Sequence, residues 1–185
     1  MSKKNKPDLR DRKVSPDAKR VRLRGEKGSD QNTLRNTLYA YLKQRLTDAN
    51  EQAMYFEIIA ICDQLITDRI EAYTQYLLFD DDSEFPTESI GTALQFMGTA
   101  VKDKAPEVRR NDEYKTLFKR LEGFSAMRNE VLHGFILVKN VATNISLAER
   151  IEWAEHACEV GNKLVSDWSS WVRKQIDQKK LENVL

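Results

Sequence analysis

Apolar positions recur along this chain at intervals of three and four residues, the spacing that gathers side chains onto one face of an α-helix. The first stripe starts at Leu34 and continues through Leu38, Tyr41, Leu42, Leu46, Ala49 and Ala53. Asp48 followed by Glu51 offers a capping-box-like restart, so this stretch reads either as one helix or as two with a break near Thr47. The stripe resumes at Ile58, Ile61, Cys62, Leu65, Ile66, Ile70, Tyr73 and Leu77, which predicts a long helix reaching about Phe79. Asp80, Asp81, Asp82, Ser83 and Glu84 end it. A shorter helix is predicted from about Thr87 to Lys102 on Ile90, Leu94, Met97 and Val101, followed by a charged connection carrying Pro106.

Beyond Asp112, Tyr114, Leu117, Phe118, Leu121, Phe124 and Ser125 share one stripe, and Gly134 marks the stop of that helix. Residues 135–145, opening with Phe135, Ile136, Leu137 and Val138, read as an extended, packed connector. Ser146 with Glu149 forms a capping box. The last helix then carries Leu147, Ile151, Ala154, Cys158, Gly161, Val165, Trp168, Val172 and Ile176. The expected fold is all-α, a bundle of four to five helices.

Before residue 31 the periodicity is missing, and Pro7, Pro16, Gly25 and Gly28 interrupt the chain. This gives the expected organisation: a basic tail over 1–30 that is disordered when alone, a helical domain over 31–178, and a C-terminal end over 179–185. Length agrees, since 185 residues suffice for one domain with a real core. So does composition, with only 7 Gly and 4 Pro among many helix-forming residues.

Charge adds an asymmetry that the net value of +1 conceals. Residues 1–30 hold 11 Lys/Arg against 5 Asp/Glu, whereas residues 31–185 hold 19 against 24. The tail can gather polyanions by long-range attraction, or it serves as a solubilising arm on a mildly acidic body. Nowhere do eighteen consecutive apolar residues occur, and the charged start lacks an apolar stretch behind it, so no membrane partner and no secretory signal are expected. Cys62 and Cys158 belong to no metal-binding or redox spacing and read as small buried apolar residues in a reducing, cytoplasmic compartment. The acidic run after Phe79 lacks the spacing of a calcium loop and reads as a solvated turn. Trp153, Trp168 and Trp171 are expected in core or interface packing rather than as base-stacking platforms, and His156 at the surface or its boundary. No metal and no cofactor is expected.

One segment carries chemistry: Arg128-Asn129-Glu130-Val131-Leu132-His133-Gly134, late in a helix. Arg offers a planar fork of donors suited to phosphate, and His gains and loses a proton near neutrality. On a regular helix Arg128 and His133 lie about 140° apart around the axis, whereas Asn129 and His133 share a face. One copy therefore closes a site poorly. Two copies about a two-fold axis could bring both arginines and both histidines into one groove, which makes a homodimer the expected state. One His would then take the proton of an RNA 2′-hydroxyl while the other protonates the leaving 5′-oxygen, with Arg128 offsetting phosphate charge and Asn129 orienting His133 or the phosphate.

An Arg followed by Asn, three further residues and His, late in a helix of an all-α bundle, resembles the signature of the HEPN superfamily. The resemblance covers the motif and the helix order over about residues 31–178. It implies a metal-independent endoribonuclease acting on RNA as a dimer, in toxin-antitoxin or antiviral defence settings, with an antitoxin or defence-complex protein as a further partner. By that resemblance Arg128, Asn129 and His133 form the catalytic set. Toxins paired with nucleotidyltransferase antitoxins often carry Tyr two places after the His, as the modified hydroxyl; here that position is Phe135, which cannot be adenylylated. The competing readings are a non-catalytic helical dimerisation or protein-interaction module, and a nucleic-acid binder driven by the tail. The module would keep the motif only for dimer packing; a purely structural reading of the motif is that Arg128 pairs with an acidic residue of the bundle and His133 caps its helix.

Overall fold

The computed structural model describes residues 30–75, 89–134 and 146–182. These form α1 (Asp30–Glu51), α2 (Tyr55–Tyr73), α3 (Ile90–Lys104), α4 (Pro106–Arg110), α5 (Asp112–Gly134) and α6 (Leu147–Glu182), and among them there is no strand. The all-α reading holds, with six helices among the described residues where four to five were expected. The extra element is α4: the connection around Pro106 coils into a single short helix because Pro at a first helical position needs no hydrogen-bond partner for its nitrogen.

The break between the first two helices falls at residues 52–54, not near Thr47. Ala53 adopts a positive φ of 52°, and a residue in that left-handed region cannot continue a right-handed helix. The anticipated Asp48 cap is not used, since Asp48 instead accepts from the amide of Gln44 within α1. Across the turn, Arg45 pairs with Glu57, and Asn50 exchanges side-chain amide bonds with Asn162 of α6. Further along α1, Arg69 of α2 donates through Nε to the Tyr39 hydroxyl at 2.9 Å, with its guanidinium 4.6 Å from that ring's centroid.

Helix α2 lies at the centre and touches α1, α3, α5 and α6. It is apolar on most sides, burying Ile58, Ile59, Ile61, Cys62, Leu65, Ile66, Ile70, Ala72 and Tyr73. Helix α6 runs parallel to it, since Tyr55 meets Glu155 near one end and Tyr73 meets Trp171 near the other. Helix α5 runs the opposite way, with Tyr114 against Trp171 and Arg128 level with Asp63. Where α2, α5 and α6 converge, a β-carbon on Gly161 would stand 2.8 Å from Phe124 Cε2 and 3.1 Å from Cys62 Cβ, so only glycine allows this approach.

Side chains cap three helix starts, of which the box at the start of α6 was expected from the sequence. Ser146 and Glu149 form the reciprocal box, Ser146 N donating to Glu149 Oε2 at 2.7 Å and Glu149 N to Ser146 Oγ at 3.2 Å. Ser89 caps α3 by accepting from Thr92 N, which places its start slightly later than Thr87. Asn111 caps α5 through Tyr114 N.

Both cysteines are free and buried, and burial pushes each thiol up to about 12. Trp168 and Trp171 stack at 4.9 Å inside the core beside Tyr73 and Tyr114, as core packing requires. Trp153 is exposed, which leaves it outside the core. So are Leu34, Leu38, Tyr41, Leu147 and Ile151, because the early turns of α1 and α6 carry their apolar stripes where no described element covers them. No helix of the described residues is long and apolar enough to cross a membrane. Residues 1–29 of the tail expected over 1–30, the stretch 76–88 with its acidic run, the connector 135–145 and residues 183–185 lie outside the described residues, while Asp30 opens α1.

Candidate active site at the end of helix α5

Helix α5 is held through its first half by Tyr114, Leu117, Leu121 and Phe124, all buried, and this fixes how its last two turns face α2. Val131 continues the buried stripe, so Arg128, one turn earlier, is drawn against the bundle while Asn129, Glu130 and His133 turn to solvent. The separation of Arg128 and His133 around the axis is the one expected for five helical residues, about 140°.

The side chain of Arg128 is only 21% exposed, and its Nη2 lies 3.3 Å from Oδ2 of Asp63, itself 16% exposed. Nη1 donates to Oδ1 of Asn129 at 2.7 Å. Nε is buried and meets no hydrogen-bond acceptor. The guanidinium is thus closed on its Nε side, held by a carboxylate from α2, and borders an exposed amide on its Nη1 side. Asn129, expected to orient His133 or a phosphate, spends its carbonyl oxygen on Arg128 instead.

His133 occupies the last turn of α5 and is exposed, with its imidazole reachable from solvent. Two of the three anticipated residues, Arg128 and Asn129, are brought together by a hydrogen bond; His133 lies one turn beyond Asn129 on the same exposed face, about 140° around the axis from Arg128. Arranged this way, one chain presents a cation and a proton carrier close in sequence but not facing a common point, which is the incompleteness that the helix geometry anticipated. No group of three or more His, Cys, Asp or Glu among the described residues is arranged to hold a metal ion.

Asp63 is the site residue that reading the motif alone missed. A signal for it exists in the sequence: with Ile59, Ile66 and Ile70 it falls on one helical face of α2, so an acid interrupts an otherwise apolar row. Such an acid calls for a cationic partner from another helix. His156, read as a surface or boundary residue, is exposed, and its Nδ1 lies 4.0 Å from Oε2 of Glu159 on the same helix.

Compared with family models, with curated proteins and with solved structures, the chain shows no significant match to any of them. The HEPN resemblance accordingly rests on the motif and the helix order.

Proposed function

We propose that this chain is a HEPN-type, metal-independent endoribonuclease that works as a homodimer in the cytoplasm. The observation that carries the reading is the pairing of a largely buried Arg128 with a solvent-exposed His133 at the end of one helix. In the dimer, one His133 imidazole accepts the proton of a ribose 2′-hydroxyl as that oxygen attacks the adjacent phosphorus. The bond from phosphorus to the 5′-oxygen breaks, and the second His133 supplies that oxygen with a proton. A 2′,3′-cyclic phosphate and a 5′-hydroxyl end result. Arg128 from both chains offsets the charge on the phosphate oxygens. The biological settings implied are toxin-antitoxin and antiviral defence systems, with a regulating partner other than a nucleotidyltransferase acting at Phe135.

The test is incubation of a mixed-sequence RNA with the protein in EDTA, beside His133→Ala and Arg128→Ala. Circular dichroism establishes that both variants keep their helices. Cleavage by wild type to cyclic-phosphate ends, lost in both variants, is the expected outcome; RNA left intact by a folded, dimeric wild type sinks the proposal.

A second reading, a non-catalytic helical dimerisation module, is favoured by the Asp63–Arg128 pair, which occupies the cation that a phosphate would need. Under that reading RNA survives while a stable complex with a second copy or another protein forms.

A further inference from the structure

The ion pair of Asp63 and Arg128 joins two different helices, and neither partner is free to move far. Arg128 is anchored on a helix whose preceding turn, at Phe124, is fully buried, and Asp63 sits beside Cys62, also fully buried. The two side chains are more enclosed than those of the Arg120–Asp167 pair higher on α5, which are 33% and 35% exposed. An arginine that only paired for stability would be expected to present its hydrogen-bond donors to acceptors; here Nε remains buried without one. The carboxylate therefore does not saturate the guanidinium. It restricts it: Nη2 is held toward α2, and Nη1 is directed to the exposed Asn129, the side from which an anion would arrive.

We propose that Asp63 is a positioning residue of the α5 site, fixing the Arg128 guanidinium in one orientation so that its Nη1 edge, shared with Asn129, meets the scissile phosphate. This rests on the endoribonuclease reading. Asp63 touches no substrate in this role, and its effect is exerted wholly through Arg128. An anion on Asp63 also lowers the net attraction of the site for phosphate, so its removal weakens turnover without weakening binding. Orientation errors of this kind are felt in kcat.

The experiment compares wild type with Asp63→Asn, which keeps the shape and removes the charge, Asp63→Glu, which restores a carboxylate, and Asp167→Asn as a control at the Arg120 ion pair of α5. Two measurements are made. Steady-state cleavage of a short unpaired RNA in EDTA is expected to give, for Asp63→Asn, a kcat lower by about tenfold or more with KM changed by less than about threefold. Asp63→Glu recovers part of the loss, and Asp167→Asn stays at wild-type kcat. The second measurement is independent of activity: the side-chain nitrogen resonances of Arg128, assigned by their absence in Arg128→Lys, are followed by NMR. Hindered rotation should keep the two Nη signals separate in wild type and in Asp167→Asn, and merge them in Asp63→Asn.

A folded Asp63→Asn protein with wild-type kcat, or with Arg128 signals unchanged, overturns the proposal. Should wild type leave RNA intact, the nuclease reading fails by itself, and the resonances alone decide whether Asp63 orients Arg128.

Discussion

The two halves of α5 solve opposite problems. Its first half is built into an aromatic core: Tyr114 lies 5.5 Å from Trp171, which stacks on Trp168, and Phe124 is fully enclosed. Its arginine, Arg120, makes a short 2.8 Å bond to Asp167 at the rim of this core, where water shares the charge. The second half has fewer apolar contacts and carries Arg128 in a longer 3.3 Å pair that is more enclosed, with one donor unpaired. The better bond is therefore the more exposed one. A pair selected only for stability would reverse that order, because an enclosed charge gains most from complete hydrogen bonding. The contrast sets a more exposed, shorter pair in the proximal half against a more enclosed, incompletely bonded one in the distal half, the arrangement on which the proposed role of Arg128 depends.

The largest effect expected on either half is in the aromatic core. Trp168→Ala should cost about 3–5 kcal/mol of unfolding free energy in urea titration, since it empties a large, fully enclosed site. A cost below about 1 kcal/mol would mean that the first half is not the rigid one. The ion pairs come next and should differ from each other. Asp63→Ala leaves an enclosed cation with no counter-charge and is expected to destabilise by about 2–3 kcal/mol, whereas Asp167→Ala should cost at most about 1 kcal/mol. Equal losses would erase the distinction drawn between them.

The smallest effect is at the cap of α6, where the Ser146 hydroxyl and backbone amide hold the Glu149 carboxyl below its ordinary value. A depressed carboxyl contributes stability that is present above the ordinary glutamate value, about 4.3, and is lost as pH falls through the lower folded value. Melting temperatures of wild type and Glu149→Gln should therefore differ at neutral pH and converge in acid. A gap that widens in acid would contradict the cap. Because this box lies at the rim rather than in either half of α5, it sets the scale for a change that leaves both untouched.

Much of the fold was legible because helical periodicity is a local property. The stripe from Tyr114 to Phe124 and the box at Ser146 and Glu149 appear in the structure as they do in the sequence. The position of the first break was not legible: it is set by a left-handed Ala53, a conformation that alanine seldom adopts and that no residue type announces. Nor did apolar spacing tell covered from uncovered turns. Leu38 and Leu46 lie on related faces of α1, but Leu38 is exposed whereas Leu46 packs against the core, which is a tertiary fact. At the candidate site the sequence named Arg128, Asn129 and His133, while Asp63 stayed hidden because its relevance arises only when α2 and α5 are laid side by side.

Gly161 gives the site a dependence on a residue that has no reactive group. Phe124, which its missing β-carbon accommodates, stands one turn from Arg128, and Cys62, on the opposite wall, is next to Asp63. The absence of a methyl group thus works as a spacer, setting the reach between cation and anion from a third helix. Tuning of this chemistry need not touch the polar residues at all: a change of one carbon in the packing beneath them would alter the span they must bridge.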